Sequence, residues 1–163
     1  MSDVYEIVLT VDLVPEIGDP ELAELRWHLG AGPRPETYPM GSDNHVETFP
    51  LGDPADPDCQ WETAEPEPLF AGRGAAHRVG GVLVSELVGG PSGWALTVRQ
   101  EVHPDAFSQL RTLTDWLGRH ARTATPFVGY VRFHEDVEVS PLVLRNREIA
   151  LPDAVQAHLL DWE

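Results

Sequence analysis

The sequence predicts a single-domain α+β fold, and three observations carry that prediction. Stretches rich in Val, Leu, Ile and aromatic residues alternate apolar with polar positions, as half-buried strands do. Two other stretches repeat apolar residues at helical spacing. Along the chain these segments run strand, helix, strand, strand, helix, strand. The 163 residues suffice for one domain with a sizeable core, and 42% hydrophobic content is that of a globular chain.

Each element can be justified in turn. Tyr5–Val14 places Tyr5, Ile7, Leu9, Val11 and Leu13 on one face and Glu6, Val8, Thr10 and Asp12 on the other. That pattern predicts a strand with one buried side. In "GDPELAELRWHLGAGP" Asp19 is expected to cap a helix and Pro20 to occupy its first position. Leu22, Leu25 and Leu29 form its apolar stripe, and Gly30 and Gly32 stop it. Residues 33–78 read as an irregular, acidic, proline-rich insertion. Eight of the fifteen prolines lie between Pro33 and Gly81, too many for regular elements throughout. Short strands near His45–Leu51 and Cys59–Thr63 remain an option within it. Trp61 and Phe70 are expected to tie it to the domain, because aromatic rings have little reason to sit in a solvated tail.

Val79–Val88 is an apolar run, and Gly89–Gly93 is a turn cluster. Trp94–Val102 then alternates, with Trp94, Leu96, Val98 and Val102 inward and Thr97, Arg99 and Glu101 outward. The three together predict a hairpin. Pro104 opens a second helix whose buried stripe is Phe107, Leu110, Leu113, Leu117 and Ala121. Pro126 opens a strand expected to run to Val139, with Phe127, Val131, Phe133, Val137 and Val139 on the core side. Residues 140–163 form an extension: an edge strand bent at Pro141, then a short helix with Val155, Leu159 and Trp162 on one side.

In element order and patterning the chain resembles the ferredoxin-like (split βαβ) superfamily, and more loosely its dimeric α+β barrel members. The resemblance spans Val4–Leu29 and Val79–Val139 and involves no family motif. It implies a sandwich of a four-stranded antiparallel sheet with two helices on one face. It also implies that Val4–Val14 lies between Trp94–Val102 and Phe127–Val139.

Composition excludes some functions. The net charge is −16 and every basic residue is arginine, so phosphate backbones are repelled and nucleic-acid binding is not expected. Without lysine there is no Schiff base and no Walker-type phosphate contact. No apolar run reaches membrane-span length. The start, "MSDVYEIVLTVDL", lacks a basic region, which argues against a signal peptide. Cys59 is the single cysteine, so a cytoplasmic location is expected.

Chemistry-bearing residues gather on the helix-free face of the expected sheet. Glu6, Thr10 and Asp12 run down its middle, with Thr97, Arg99 and Glu101 on one side and Tyr130, Arg132, His134 and Asp136 on the other. Arginines beside central carboxylates predict cross-strand ion pairs. Arg99, Tyr130, Arg132 and His134 are the candidate ligand-binding residues, suited to a small anionic group. A second subunit, or the insertion, is expected to cover this face.

His134-Glu135-Asp136 matches two ligands of a facial iron triad, but no third ligand or jelly-roll pattern accompanies it. His45 and Cys59 lack zinc-ligand spacing. His28 and His120, each near a helix end, are expected to complement the helix dipole. The glycine-rich "FAGRGAAHRVGG" precedes a strand where phosphate loops precede helices, and reads as a flexible connection. No catalytic set, metal site or cofactor motif converges. The functional expectation is a non-catalytic small-molecule-binding or protein-interaction module, forming a homodimer. A small dimeric enzyme acting on an anionic or aromatic substrate through Arg132, Tyr130 and His134 is the alternative.

Overall fold

A computed structural model describes residues 3–160. The fold is mixed α+β, and its main sheet has seven strands, not four. The first strand, β1 (Tyr5–Leu13), is followed by helix α1 (Asp19–His28). A hairpin of β2 (Thr48–Leu51) and β3 (Gln60–Thr63) forms a separate two-stranded sheet. Then come β4 (Gly74–Ala75), β5 (Val82–Gly90), β6 (Gly93–Val102), α2 (Phe107–His120) and β7 (Phe127–Phe133). A second hairpin, β8 (Ser140–Arg145) and β9 (Glu148–Ala150), leads into α3 (Asp153–Leu160). The sheet order is β4-β5-β6-β1-β7-β8-β9, and every pairing in it is antiparallel. The expected position of the first strand, between the partners beginning at Trp94 and Phe127, is the observed one.

Three extra strands account for the difference from four. The tail "PLVLRNREIAL" is a hairpin, not one bent strand. Its turn residues Asn146 and Arg147 both have left-handed backbone angles, φ 52° and 63°, as a two-residue hairpin turn with the strands' own twist requires. The two-residue β4 is the end of the insertion returning along β5.

One core lies between sheet and helices. Ile7, Leu9, Val11 and Leu13 of β1, Leu22 and Leu25 of α1, and Phe107, Leu110, Leu113 and Leu117 of α2 are all buried there. Leu142 of β8, Ile149 of β9 and Val155 of α3 extend it. The α2 helix also takes the second hairpin closely, because a Cβ at Gly118 would meet Arg147 O at 2.8 Å. Helix α1 begins one residue earlier than expected. Its N-cap is Gly18, so Asp19 sits in the first turn, where its charge suits the helix end without capping it. No helix among the described residues is long and apolar enough to cross a membrane.

The strand after Pro126 departs most from expectation. A β-bulge between Phe127 and Gly129 shifts the register. Two residues then face one partner position, and the alternation flips. Val128 is therefore in the core and Phe127 is exposed, the reverse of the predicted phase. The strand ends at Phe133. Val137, 96% exposed, and Val139 lie beyond it and belong to no core.

The insertion is less irregular than its prolines suggested. It holds a short 3-10 helix, Ser42–His45, as well as the β2–β3 hairpin. Phe70 ties it to the core as expected, and Met40 joins the same cluster. Trp61 does not: it is 56% exposed on the hairpin. Trp162, expected on the last helix, lies outside the described residues.

Candidate functional site

The helix-free face is built around Glu6. Alternation along β1 points this side chain away from the helices, and register places it opposite Glu101 on β6 and Arg132 on β7. Its carboxylate is 4% exposed and accepts from two guanidiniums. Arg99 Nη2 donates to Oε2 at 2.6 Å, and Arg132 Nε donates to Oε1 at 3.3 Å. A carboxylate this buried needs such pairing, and the predicted cross-strand ion pairs are these two.

Both arginines are further committed to backbone. Arg99 Nη1 donates to the carbonyls of Gly80 and Val82, at 2.8 and 3.0 Å. Arg132 Nη1 donates to His134 O and Asp136 O, at 3.3 and 2.8 Å. Tyr130 lies beside them. Burial first, then the adjacent Glu6 carboxylate, raise its phenol above the ordinary value against the opposing pull of Arg99 and Arg132. The four candidate residues therefore divide. Arg99, Tyr130 and Arg132 converge on Glu6, whereas His134 stands past the end of β7. Its Nδ1 meets Val4 O at 3.1 Å, and its backbone N–H donates to the same carbonyl at 3.0 Å. Asp136 is likewise in the turn after the strand, so strand alternation does not align it with His134. Among the described residues, no three His, Cys, Asp or Glu side chains are grouped to hold a metal ion.

The insertion's last residues cover one side of this face. Glu101 accepts the backbone N–H groups of His77, Arg78 and Val79, at 2.7, 2.7 and 3.4 Å. Burial pushes the Glu101 pKa up, but these three donors and the His77 charge outweigh it, and the net shift is downward. The glycine-rich segment is thus held at many points. Arg73 donates to Leu29 O and Ser85 O, and Gln100 exchanges hydrogen bonds with Gly72. The rest of the face is open. Thr10, Asp12 and Thr97 are exposed, and with Phe127 they line a shallow depression of about 240 Å³. A second depression, about 250 Å³, reaches Arg132 but is also lined by Asp3, Asp136 and Glu138. Three carboxylates beside one already paired arginine make it a poor anion site.

A second polar cluster is fully buried. Glu24, His28 and Ser42 are almost inaccessible. Glu24 Oε1 accepts Met40 N–H at 2.8 Å, and its Oε2 accepts from the backbone and the hydroxyl of Ser42. His28 Nε2 meets Ser42 Oγ at 2.7 Å, while His28 Nδ1 accepts Leu69 N–H at 3.1 Å. These roles fix the tautomer. With Nδ1 an acceptor, Nε2 must carry the proton and donate to Ser42, whose own proton goes to Glu24. A serine nucleophile needs the opposite arrangement, with histidine accepting from it. The cluster is a clip that fastens the insertion to α1. Glu24 and His28 are four apart on a helix, so their shared face was readable; Ser42, in the insertion, had no such signal.

His28 does not complement the helix dipole, because burial lowers its pKa to about 4 and leaves it neutral at pH 7. The unfolded chain therefore takes up a proton near pH 6.5 that the folded chain refuses until about pH 4. Stability from this group is complete above pH 6.5 and falls as pH drops through that window. The loss is expected to reach about 3 kcal/mol. Urea denaturation across pH 7 to 4.5 measures it against His28→Gln, which lacks the titrating ring. Parallel losses in the two proteins would show that His28 is not responsible. At the other helix end His120 stacks on Trp116 at 4.2 Å and reaches Glu21 at 3.4 Å. His45 bonds Thr112 Oγ1 at 2.7 Å, while Cys59 lies beside Gln60 O on the β2–β3 hairpin.

Comparison with protein-family models, curated proteins and solved structures finds no match.

Proposed function

We propose that the chain is a non-catalytic protein-interaction module of ferredoxin-like type, which pairs with a second copy of itself through the helix-free face of the sheet. The central strands β5-β6-β1-β7 support the fold-class reading. They occur in the order strand, helix, strand, strand, helix, strand, and the first strand sits inside the sheet.

The observation that carries the functional reading is the state of that face. Its charged centre is paired internally, with Glu6 held by Arg99 and Arg132. Around this centre Val88 and Phe127 are exposed, Val8 and Val84 are half-buried, and Thr10 and Thr97 are open. A surface whose charged centre is already paired, with free apolar groups around it and Asp12 and Glu86 as exposed charges, suits a protein contact better than a reaction. The enzyme alternative has no equal support, since Arg132 and Tyr130 already serve Glu6 and His134 stands outside the strand.

Light scattering tests the reading. The native chain is expected to be dimeric at high micromolar concentration. Thr10→Arg, which adds a long charge at the exposed centre of the face, is expected to be monomeric with an unchanged circular dichroism spectrum. A native monomer, or a Thr10→Arg dimer, would remove the second copy from this face.

A further inference from the structure

We propose that the β2–β3 hairpin is a docking arm for a basic, extended segment of another protein, which adds along β3 as a third strand. This surface is separate from the helix-free face and does not depend on that face's role.

The hairpin forms a two-stranded sheet of its own. Each of its strands has four residues, and all eight are exposed except half-buried Pro50. It nevertheless carries Phe49, Leu51 and Trp61 into solvent. Cross-strand register puts Trp61 on one side with Pro50, and Phe49 and Leu51 on the other with Glu62 and Gln60. Both sides are therefore partly apolar and neither is buried. An isolated two-stranded ribbon in water is marginal, and a third strand is the usual remedy.

The backbone decides which edge is available. Ala64 N–H donates to Glu47 O at 2.8 Å, so that pair is the hydrogen-bonded kind. Alternation then makes Thr48–Thr63 and Pro50–Trp61 the pairs whose amide groups point outward. On β2 one of those positions is proline, which has no N–H to offer and blunts the edge. On β3 the outward groups belong to Trp61 and Thr63, and both are intact. Among the described residues neither strand is paired to a further one. Strand addition therefore favours β3.

Charge selects the partner. Between residues 46 and 72 there are seven carboxylates, Glu47, Asp53, Asp56, Asp58, Glu62, Glu65 and Glu67, and no Arg, Lys or His. Arg34 reaches one of them, Glu65, at 3.3 Å. A second copy would bring the same seven charges to the contact and be repelled, as would a nucleic acid or an anionic membrane. A segment alternating Lys or Arg with apolar residues meets both requirements.

The probe is a fluorescein-labelled peptide of alternating lysine and valine with blocked ends, and the control replaces lysine with glutamate. Binding to the full chain is read by anisotropy, and the site by amide hydrogen exchange. The lysine peptide is expected to bind, the glutamate peptide not, and the Trp61 and Thr63 amides to gain protection. The Phe49→Ser/Trp61→Ser double variant is expected to weaken binding at least tenfold while keeping its melting temperature, because both side chains are exposed. Asp53, Asp56 and Asp58 changed together to Asn should weaken binding and flatten its dependence on salt. No binding, equal binding by the double variant, or protection elsewhere would overturn the proposal. So would a native dimer that Trp61→Ser dissociates, which would make a second copy the occupant.

Discussion

Gly129→Ala is expected to destabilise the protein by more than about 4 kcal/mol, which is enough to leave little folded chain. A Cβ at this position would lie 1.8 Å from Val8 O and 2.7 Å from Val8 C. Both are backbone atoms of the central strand, so no side-chain rotation relieves the clash. The backbone also has φ 148°, which residues with a Cβ rarely adopt. Gly129 follows the bulge that puts Val128 into the core and aims Tyr130 and Arg132 at Glu6. The substitution thus attacks the β1–β7 pairing and the polar network together. Urea denaturation followed by circular dichroism measures the cost. A loss under about 1 kcal/mol would mean that β7 does not pair with β1 in this register.

Glu6→Ala is expected to cost about 3 kcal/mol, because it strands two guanidiniums that were positioned around one carboxylate. The side chains of Arg99 and Arg132 are 27% and 19% exposed, so water recovers part of their solvation and keeps the loss below that of a dry site. Replacing all three groups together, with Glu6→Leu, Arg99→Met and Arg132→Met, is expected to restore only part of the stability, because the carbonyls of Gly80, Val82, His134 and Asp136 lose their donors. The phenol of Tyr130 supplies an independent readout. Loss of the Glu6 charge should bring its pKa down, which NMR titration of the tyrosine ring follows. If Glu6→Ala is as stable as the native chain and Tyr130 titrates unchanged, the network does not hold this face together.

The polar network was largely legible in the sequence, and the reason is geometric. Residues two apart on a strand share a side, so Glu6 on one strand and Arg99 and Arg132 on its expected neighbours had to meet once the strand order was right. The alternation runs out just past Phe133. The His134 N–H still bonds Val4 O, one step on from the Tyr5–Phe133 pair, but the chain then turns, so Asp136 does not follow, and the carbonyls of His134 and Asp136 accept from Arg132. The buried Glu24–Ser42–His28 clip was half legible. Helical spacing pairs Glu24 with His28, but Ser42 comes from a segment with no periodicity to read.

Local periodicity alone determined where β1, α1, β6 and α2 form and which of their faces are apolar, because each pattern spans enough residues to outweigh competing local preferences. Composition alone set the net charge of −16, from which repulsion of polyanions is expected. The tertiary structure decided the remainder. It decided the phase of β7, because Gly129 in "PFVGYVRF" hints at an irregularity, but which residue becomes the extra one depends on how Gly129 meets Val8. It decided that seven strands form the main sheet: the edge strand expected with a bend at Pro141 became the β8–β9 hairpin, and β4 and β9, of two and three residues, are too short to carry a pattern and exist only by pairing with neighbours. It also decided that Arg99 and Arg132 share one carboxylate, because ion pairing in a buried site depends on distances that only the folded register sets.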